Sequence, residues 1–241
     1  MRIESKQLFY ALFFPVLLVI LLWIIHIFQW ELHANWYYLG IFPRKIQGLT
    51  GIITSPLIHE SFKHLFSNTI PLLILGWCLF YFYKDLSYRV LLVIWLGTGL
   101  ITWCIGREAW HIGASGLVYG LSFFLFFSGI IRKHIPLMAI SLLVAFLYGS
   151  MVFNMLPVSE LIHDNMSWEG HLAGGVIGLI AAIIFRNKGP QKPEEEEEDG
   201  EEEEENAHYL SFWDSEAHFG SEKKQKNEIE NYSEKSCNFP L

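Results

Sequence analysis

Long apolar segments without charged residues dominate the first 190 residues of this chain. The first, Leu8–Phe28, runs for about 21 residues, which is roughly 31 Å as an α-helix and matches the hydrocarbon thickness of a bilayer. It is longer than the apolar part of a cleavable signal, and no small-residue cleavage pattern follows it. We therefore interpret this segment as a retained membrane anchor.

Five further apolar segments approach the length that a bilayer crossing requires. They are Leu65–Tyr83, Val90–Ile105, Ser115–Ile131, Pro136–Phe153 and His171–Phe185. In lipid, a single segment satisfies its own backbone hydrogen bonds only as a helix. The composition agrees, since 52% hydrophobic residues, with 19 Phe and 9 Trp, is too apolar for an ordinary soluble domain. The sequence thus predicts an all-α membrane protein with six transmembrane helices.

Charge divides the chain into two regions. Residues 1–189 carry 12 Lys and Arg against 8 Asp and Glu, whereas residues 190–241 carry 5 against 17, which together give the net charge of −8. A like-charge block with few apolar residues cannot bury a core. We therefore predict a membrane domain over 1–189 and a disordered acidic tail over 190–241, which is either simply solvated or carries a docking motif for a cytoplasmic partner.

The basic residues of the short connections predict the orientation. One side collects Arg2, Lys6, Lys84, Arg89, Arg132, Lys133, Arg186, Lys188 and Lys192, and the other has only Arg44, Lys45, Lys63 and Arg107. Because Lys and Arg are enriched on the cytoplasmic side, both termini are predicted to be cytoplasmic. The long, aromatic-rich first loop, Gln29–His64, is then expected to lie in the outer interface.

In this orientation, the second, fourth and sixth spans all begin at the outer side of the membrane. Each of them has polar residues near this outer end. Such groups are costly in a membrane and are usually paired or functional. His64 and Asn68 share one helix face, and the N–H of Ser115 lies at a helix start, so these groups resemble an oxyanion hole. His171 is a suitable base for activating Ser115. Tyr119, one turn after Ser115, is placed to stack beneath the imidazole of His171.

Small residues would let the fourth and sixth spans pack closely. They are Gly116 and Gly120 on the fourth span and Gly174 and Gly178 on the sixth.

The motifs as a whole resemble those of the rhomboid family. Residues 113–119, Gly-Ala-Ser-Gly-Leu-Val-Tyr, are similar to GxSGxxY; His171, Gly174 and Gly178 fit HxxGxxxG; and His59, His64 and Asn68 match HxxxxHxxxN. The first loop departs from the family pattern, offering Pro43-Arg44-Lys45 where a Trp-Arg pair is common.

The resemblance implies a six-helix rhomboid bundle that works as an intramembrane serine endopeptidase in a bacterial cell membrane. It implies that Ser115 is the nucleophile and His171 the base of a dyad, and that His64, Asn68 and Ser115 bind the oxyanion. Gly113, Tyr119, Gly174 and Gly178 would support this site. The substrates would be transmembrane proteins cut near their extracytoplasmic ends, and we expect no cofactor, no metal and no nucleic-acid partner.

Other functions explain fewer of these residues. A non-catalytic binder of transmembrane clients is the main alternative, and the intact Ser115 and His171 pair speaks against it. A zinc site at His59 and His64 is disfavoured because five helical steps of about 100° leave the two imidazoles roughly 140° apart. A transporter would be expected to show inverted repeats and charged midplane residues, and the apolar segments contain no Asp or Glu. For His59 we favour a role in bracing the loop.

Two further expectations concern residues outside these motifs. Glu169 is not expected to be the acid of a triad, because residues two apart on a helix do not face each other. His26, His33, His111, His134 and His163 have no evident partners in the sequence. A solvated or interfacial position is therefore expected for each of them.

Overall fold

The computed structural model describes residues 2–84, 86–133, 135, 137–139, 142, 146 and 167–189. Within these ranges the regular structure is helical, apart from an isolated antiparallel β-bridge between Ile41 and His111. The helices are α1 (Arg2–Glu31), α2 (Gly51–Thr54), α3 (Phe62–Tyr83), α4 (Leu86–Ile105), α5 (Ser115–Ile131) and α6 (Trp168–Ile184). Short 3₁₀ turns at Tyr37–Leu39, Ile46–Gly48 and Ser55–Leu57 lie in the first loop.

Three of the described helices are long and apolar enough to cross a membrane. They are Leu8–Glu31 of α1, α3 and α4, whereas α5 and α6 are apolar helices of 17 residues each. The all-helical class predicted from the sequence is confirmed. The predicted span over Pro136–Phe153 falls mostly outside the described residues, and the acidic tail over 190–241 lies wholly outside them, so the count of six spans and the disordered tail stay predictions.

The helices α5 and α6 pack together more extensively than any other described pair, and α4 packs on α6 while α1 packs on α3. The largest fully buried side chains lie on the helices around this centre, including Leu75 and Leu79 of α3, Ile94 of α4, and Phe124 and Leu125 of α5. Burial of such side chains and the close fit between helices stabilise the bundle. The dyad predicted from the motifs therefore lies between the two most closely packed helices.

Serine caps set where two of the helices begin. The Ser61 hydroxyl accepts a hydrogen bond from the N–H of His64 at the start of α3, and the Ser167 hydroxyl accepts one from the N–H of Gly170 at the start of α6, both at 3.2 Å. A cap of this kind is worth about 1 kcal/mol. Because of these caps, both helices begin three residues before the predicted apolar segments, and His64 and His171 lie in first turns.

The first loop is attached to α4 by hydrogen bonds from long side chains. Arg44 donates to the carbonyl oxygen of Gly106 at 2.8 Å, at the C-terminal end of α4. The indole N–H of Trp103 donates to the carbonyl oxygen of Lys45, and that of Trp95 donates to the carbonyl oxygen of Ile53, both at 3.0 Å. The loop is thus held against the helix rather than free.

At the opposite end of the bundle, a buried arginine secures the C-terminal end of α6. The Arg132 guanidinium donates to the carbonyl oxygens of Phe185 and Lys188 and lies 5.4 Å above the ring of Tyr83. Carbonyl groups at a helix C-terminus have no intrahelical partner, so a cation there is favourable. Arg132 therefore connects α5, α3 and α6 far from the predicted site.

Candidate active site

The hydroxyl of Ser115 and the imidazole of His171 are in hydrogen-bond contact. Ser115 is the first residue of α5, His171 lies in the first turn of α6, and 2.9 Å separates Oγ of Ser115 from Nε2 of His171. An imidazole nitrogen without a proton accepts from a hydroxyl at this distance. This geometry would allow the imidazole to accept the proton of the serine hydroxyl.

A tyrosine ring fixes the plane of the His171 imidazole. Tyr119 lies one helical turn after Ser115, and its ring stacks on His171 with 4.3 Å between the ring centroids and 12° between the planes. Tyr119 is itself buried, at 4% exposed. Because stacking restricts rotation of the imidazole, Nε2 is directed toward Ser115.

Glycines bring the two helices close enough for this contact. A Cβ atom at Gly174 would collide with the carbonyl oxygen of Gly116, and a Cβ atom at Gly178 would collide with that of Gly120. Backbone atoms cannot rotate away as a side chain can. These glycines therefore set the spacing between α5 and α6.

The imidazole of His64 lies against the backbone just before Ser115. A Cβ atom built on Gly113 would be 2.9 Å from Nε2 of His64, and Gly113 has a φ of +105°, which a side chain would strain. The Gly113 N–H donates to the carbonyl oxygen of Ser55 at 2.9 Å. The N–H of Ser115, by contrast, is at the first position of α5 and has no acceptor within its own helix.

Asn68 lies one turn further along α3 than His64 and is buried. Its amide nitrogen donates to the carbonyl oxygen of His64 at 3.2 Å. An amide carries two N–H groups, so this bond uses one of its two donors. The structure thus brings the side chain of Asn68 to the backbone of His64, and the imidazole of His64 to the backbone of Gly113.

His59 is fully buried beside His64. Its Nε2 accepts a hydrogen bond from the N–H of Ala114 at 3.4 Å, and the two imidazoles meet edge to face at 5.2 Å. Burial, with smaller effects from His64 and His26, lowers the pKa of His59 to about 3. A neutral His59 therefore supports the loop residue that precedes Ser115, in agreement with the bracing role favoured from the sequence.

A small cavity adjoins Ser115. It has a volume of about 30 Å³ and is lined in part by Ser115, Thr98, Thr102, His111 and Ser167. A cavity of this size holds about two water molecules. The buried hydroxyls of Thr98 and Thr102 have no hydrogen-bond partner within the described part of the chain, which makes them suitable partners for water.

The expectation of a solvated or interfacial position is wrong for His111 and for His26, each of which is only 4% exposed. His111 lies two residues before Gly113, and its Nδ1 is 2.6 Å from Oγ of Ser167, the cap of α6. Sequence reasoning missed this contact because the two residues are 56 positions apart. The proximity of His111 to the GxSG motif was the available signal.

Glu169 pairs with Arg107 of the loop that follows α4. Its Oε1 accepts from the N–H of Arg107 at 3.3 Å, and its Oε2 is 3.4 Å from the guanidinium of the same residue. Glu169 is almost fully buried, at 2% exposed. This pairing attaches the start of α6 to the loop between α4 and α5.

Comparisons with known proteins place these motifs in a family. The model of the Rhomboid domain matches residues 47–188. Uncharacterized proteins of Mycobacterium tuberculosis and Mycobacterium bovis are each 40% identical over 152 residues, which is 60% of this chain and 62% of each relative. One of Mycobacterium leprae is 35% identical over 152 residues, or 59% of its length. The match therefore spans less than two thirds of each relative. The domain match shows the family, and the apolar helices agree with a position in the membrane. This chain is therefore an integral membrane protein that belongs to the rhomboid family.

Proposed function

We propose that the protein is an intramembrane serine endopeptidase that hydrolyses peptide bonds of transmembrane proteins near their extracytoplasmic ends. The observation that carries this proposal is the 2.9 Å contact between Ser115 Oγ and His171 Nε2, with the imidazole stacked on Tyr119. It is supported by the meeting of the first turns of α3, α5 and α6 at one place. A fixed base beside a serine is what nucleophilic catalysis requires.

In the acylation step, Nε2 of His171 takes the proton of the Ser115 hydroxyl as Oγ attacks the carbonyl carbon of the substrate. The negative charge that develops on the carbonyl oxygen is stabilised by the N–H of Ser115 and by the side chains of His64 and Asn68. As the C–N bond breaks, the His171 imidazolium returns its proton to the leaving amine. The product of this step is an ester between Ser115 and the N-terminal part of the substrate.

Deacylation requires a water molecule at the ester. The cavity next to Ser115, with the hydroxyls of Thr98 and Thr102 in its wall, supports the delivery of that water. His171 takes a proton from the water as its oxygen attacks the ester, and then returns the proton to Ser115. The reaction needs no cofactor.

The proposed setting follows from the charge distribution. Both termini would be cytoplasmic, the site would face outward, and the protein would be a multi-pass protein of a bacterial cell membrane. The bilayer and transmembrane substrates would be its partners, and the acidic tail would either stay solvated or recruit a cytoplasmic partner. A non-catalytic binder of transmembrane clients is the alternative that the next experiment separates.

Replacing Ser115 by Ala tests the proposal directly. The full chain is reconstituted in liposomes with a model transmembrane substrate, and we expect cleavage to fall at least 1,000-fold because the nucleophile is lost. Ser122→Ala is the control, since it removes a different serine hydroxyl, a buried one, from the same helix α5. This control should cleave at nearly the normal rate. Equal cleavage by wild type and Ser115→Ala, or none by folded wild type, would refute the proposal.

A further inference from the structure

His111 and Ser167 form a side-chain contact that joins the two segments carrying the proposed dyad. His111 is buried in the loop between α4 and α5, and its Nδ1 is 2.6 Å from Oγ of Ser167. Its other ring nitrogen, Nε2, is 3.1 Å from the carbonyl oxygen of Arg107. A carbonyl can only accept, so Nε2 carries the hydrogen and Nδ1 accepts from the Ser167 hydroxyl.

Ser167 controls the turn that contains His171. Its hydroxyl oxygen accepts from the N–H of Gly170 at 3.2 Å, and its carbonyl oxygen accepts from the N–H of His171 at 3.3 Å. A displacement of Ser167 would therefore move the first turn of α6 and the imidazole attached to it.

The backbone of His111 is also held in place, by hydrogen bonds to the first loop. Its backbone exchanges two hydrogen bonds with Ile41, at 2.8 and 2.9 Å, and the neighbouring Gly113 N–H is bound to the carbonyl oxygen of Ser55. Ser115 follows His111 by four residues. The side chain of His111 thus connects the loop between α4 and α5 to Ser167, the cap of the helix that carries His171.

We propose that His111 is a positioning residue for the dyad. Through Ser167, it holds the first turn of α6 at a set distance from the loop before Ser115, and so sets the distance between Oγ of Ser115 and Nε2 of His171. This inference rests on the proposed function, since it concerns the rate of the same reaction.

The charges around His111 agree with this arrangement. Burial lowers the pKa of His111, opposed by its hydrogen bond to the Arg107 carbonyl and by the Glu169 carboxylate, while the Arg107 guanidinium adds to the lowering. The N-terminus of α6 also disfavours a cation. A neutral imidazole keeps the lone pair of Nδ1 available for the Ser167 hydroxyl.

The test is the rate of labelling of Ser115 by a fluorophosphonate, measured on the full chain in detergent micelles. The amplitude of labelling reports the folded fraction, and the rate constant reports how well the dyad activates Ser115. We expect His111→Ala and Ser167→Ala each to lower the rate constant 10- to 100-fold, because misplacement by about 1 Å costs roughly 100-fold. Ser167→Thr keeps the hydroxyl and should restore most of the rate.

A double-mutant cycle separates positioning from general destabilisation. Because His111 and Ser167 act as one unit, the variant that carries both Ala substitutions should be no slower than the slower single variant. For cleavage of a transmembrane substrate, kcat should fall while KM stays unchanged. Arg132→Gln, which weakens the other end of α6, is the control: it should lower the amplitude of labelling and leave the rate constant unchanged.

The outcomes distinguish the two proposals. If wild type is labelled and His111→Ala retains the wild-type rate constant, or if the two Ala substitutions have multiplicative effects, the positioning role is refuted and the proposed function is not. If folded wild type is not labelled at all, the proposed function fails, and the positioning role fails with it.

Discussion

At the scale of single residues, several imidazoles lie close to Ser115, and their surroundings give them different tasks. His171 contacts the serine hydroxyl and stacks on a tyrosine, whereas His59 is fully buried and accepts from the backbone of the loop. His111 contacts the cap of α6. The same side chain is therefore suited to be a base in one place and a fixed acceptor in the others, and what differs is the group that each imidazole contacts.

The stack of Tyr119 on His171 gives a prediction at this scale. Tyr119→Ala should lower kcat about 10- to 100-fold, because the imidazole gains freedom to rotate away from Ser115. Tyr119→Phe keeps the ring and should stay within about threefold of wild type. Cleavage of a transmembrane substrate in liposomes measures both. A Tyr119→Ala variant with normal kcat would show that the stack does not orient the base.

The GxSGxxY and HxxGxxxG motifs allowed the contacts of Ser115, Tyr119 and His171 to be predicted, since helix periodicity and small-residue spacing fix which faces meet. The role of His111 could not be predicted in this way. Its partner, Ser167, is distant in sequence, and no periodicity connects a loop histidine to a helix cap. Such contacts depend on how the loops fold, which local patterns do not determine.

At the scale of helices, the position of α6 against α5 decides whether Ser115 and His171 are in contact. Glycines give close approach at Gly174 and Gly178, Ser167 begins the helix, and Arg132 secures its far end. The apolar segments predicted the central parts of α3 and α6 but not their first turns. Lys63 and His64 in α3 and Glu169 in α6 interrupt the apolar pattern in those turns, and serine caps rather than hydropathy determine where the helices begin.

Gly174→Ala tests the helix contact. The new methyl group would meet the backbone carbonyl of Gly116, so the helices must separate, and we expect a loss of about 1–3 kcal/mol in unfolding free energy. Cleavage should also fall at least 10-fold, because the dyad is pulled apart.

Gly76→Ala is the matched control for this variant, since its Cβ would be 3.0 Å from a side-chain atom of Pro15 between α3 and α1. Gly76→Ala should lower the unfolding free energy by less than Gly174→Ala does, and it should leave cleavage within about twofold of wild type. Equal losses in the two variants would contradict a special role for the contact between α5 and α6.

At the scale of the whole molecule, a buried, neutral histidine near the site links folding to pH. The pKa of His59 is about 3 when folded, against an ordinary value of 6.5. Between these values the unfolded chain binds more protons than the folded chain. The contribution of His59 to the free energy of unfolding is therefore fully present above pH 6.5. It declines as the pH falls below 6.5, by at most about 1.4 kcal/mol per pH unit.

Thermal unfolding in detergent between pH 7.5 and pH 4.5 measures this effect. We expect the midpoint of wild type to fall with decreasing pH and the fall to be smaller in His59→Gln, which cannot take up the proton. His33→Gln, at an exposed histidine, should show the same dependence as wild type. Identical slopes for wild type and His59→Gln would show that His59 does not make this contribution.

The central claim is that Ser115 is a nucleophile activated by His171, and covalent labelling tests it most directly. The protein in micelles is treated with a fluorophosphonate, and the modified residue is located by mass spectrometry. We expect an adduct on Ser115 in wild type, none at this position in Ser115→Ala, and labelling at least 100-fold slower in His171→Ala. Folded wild type without an adduct, or His171→Ala labelled at the wild-type rate, would contradict it.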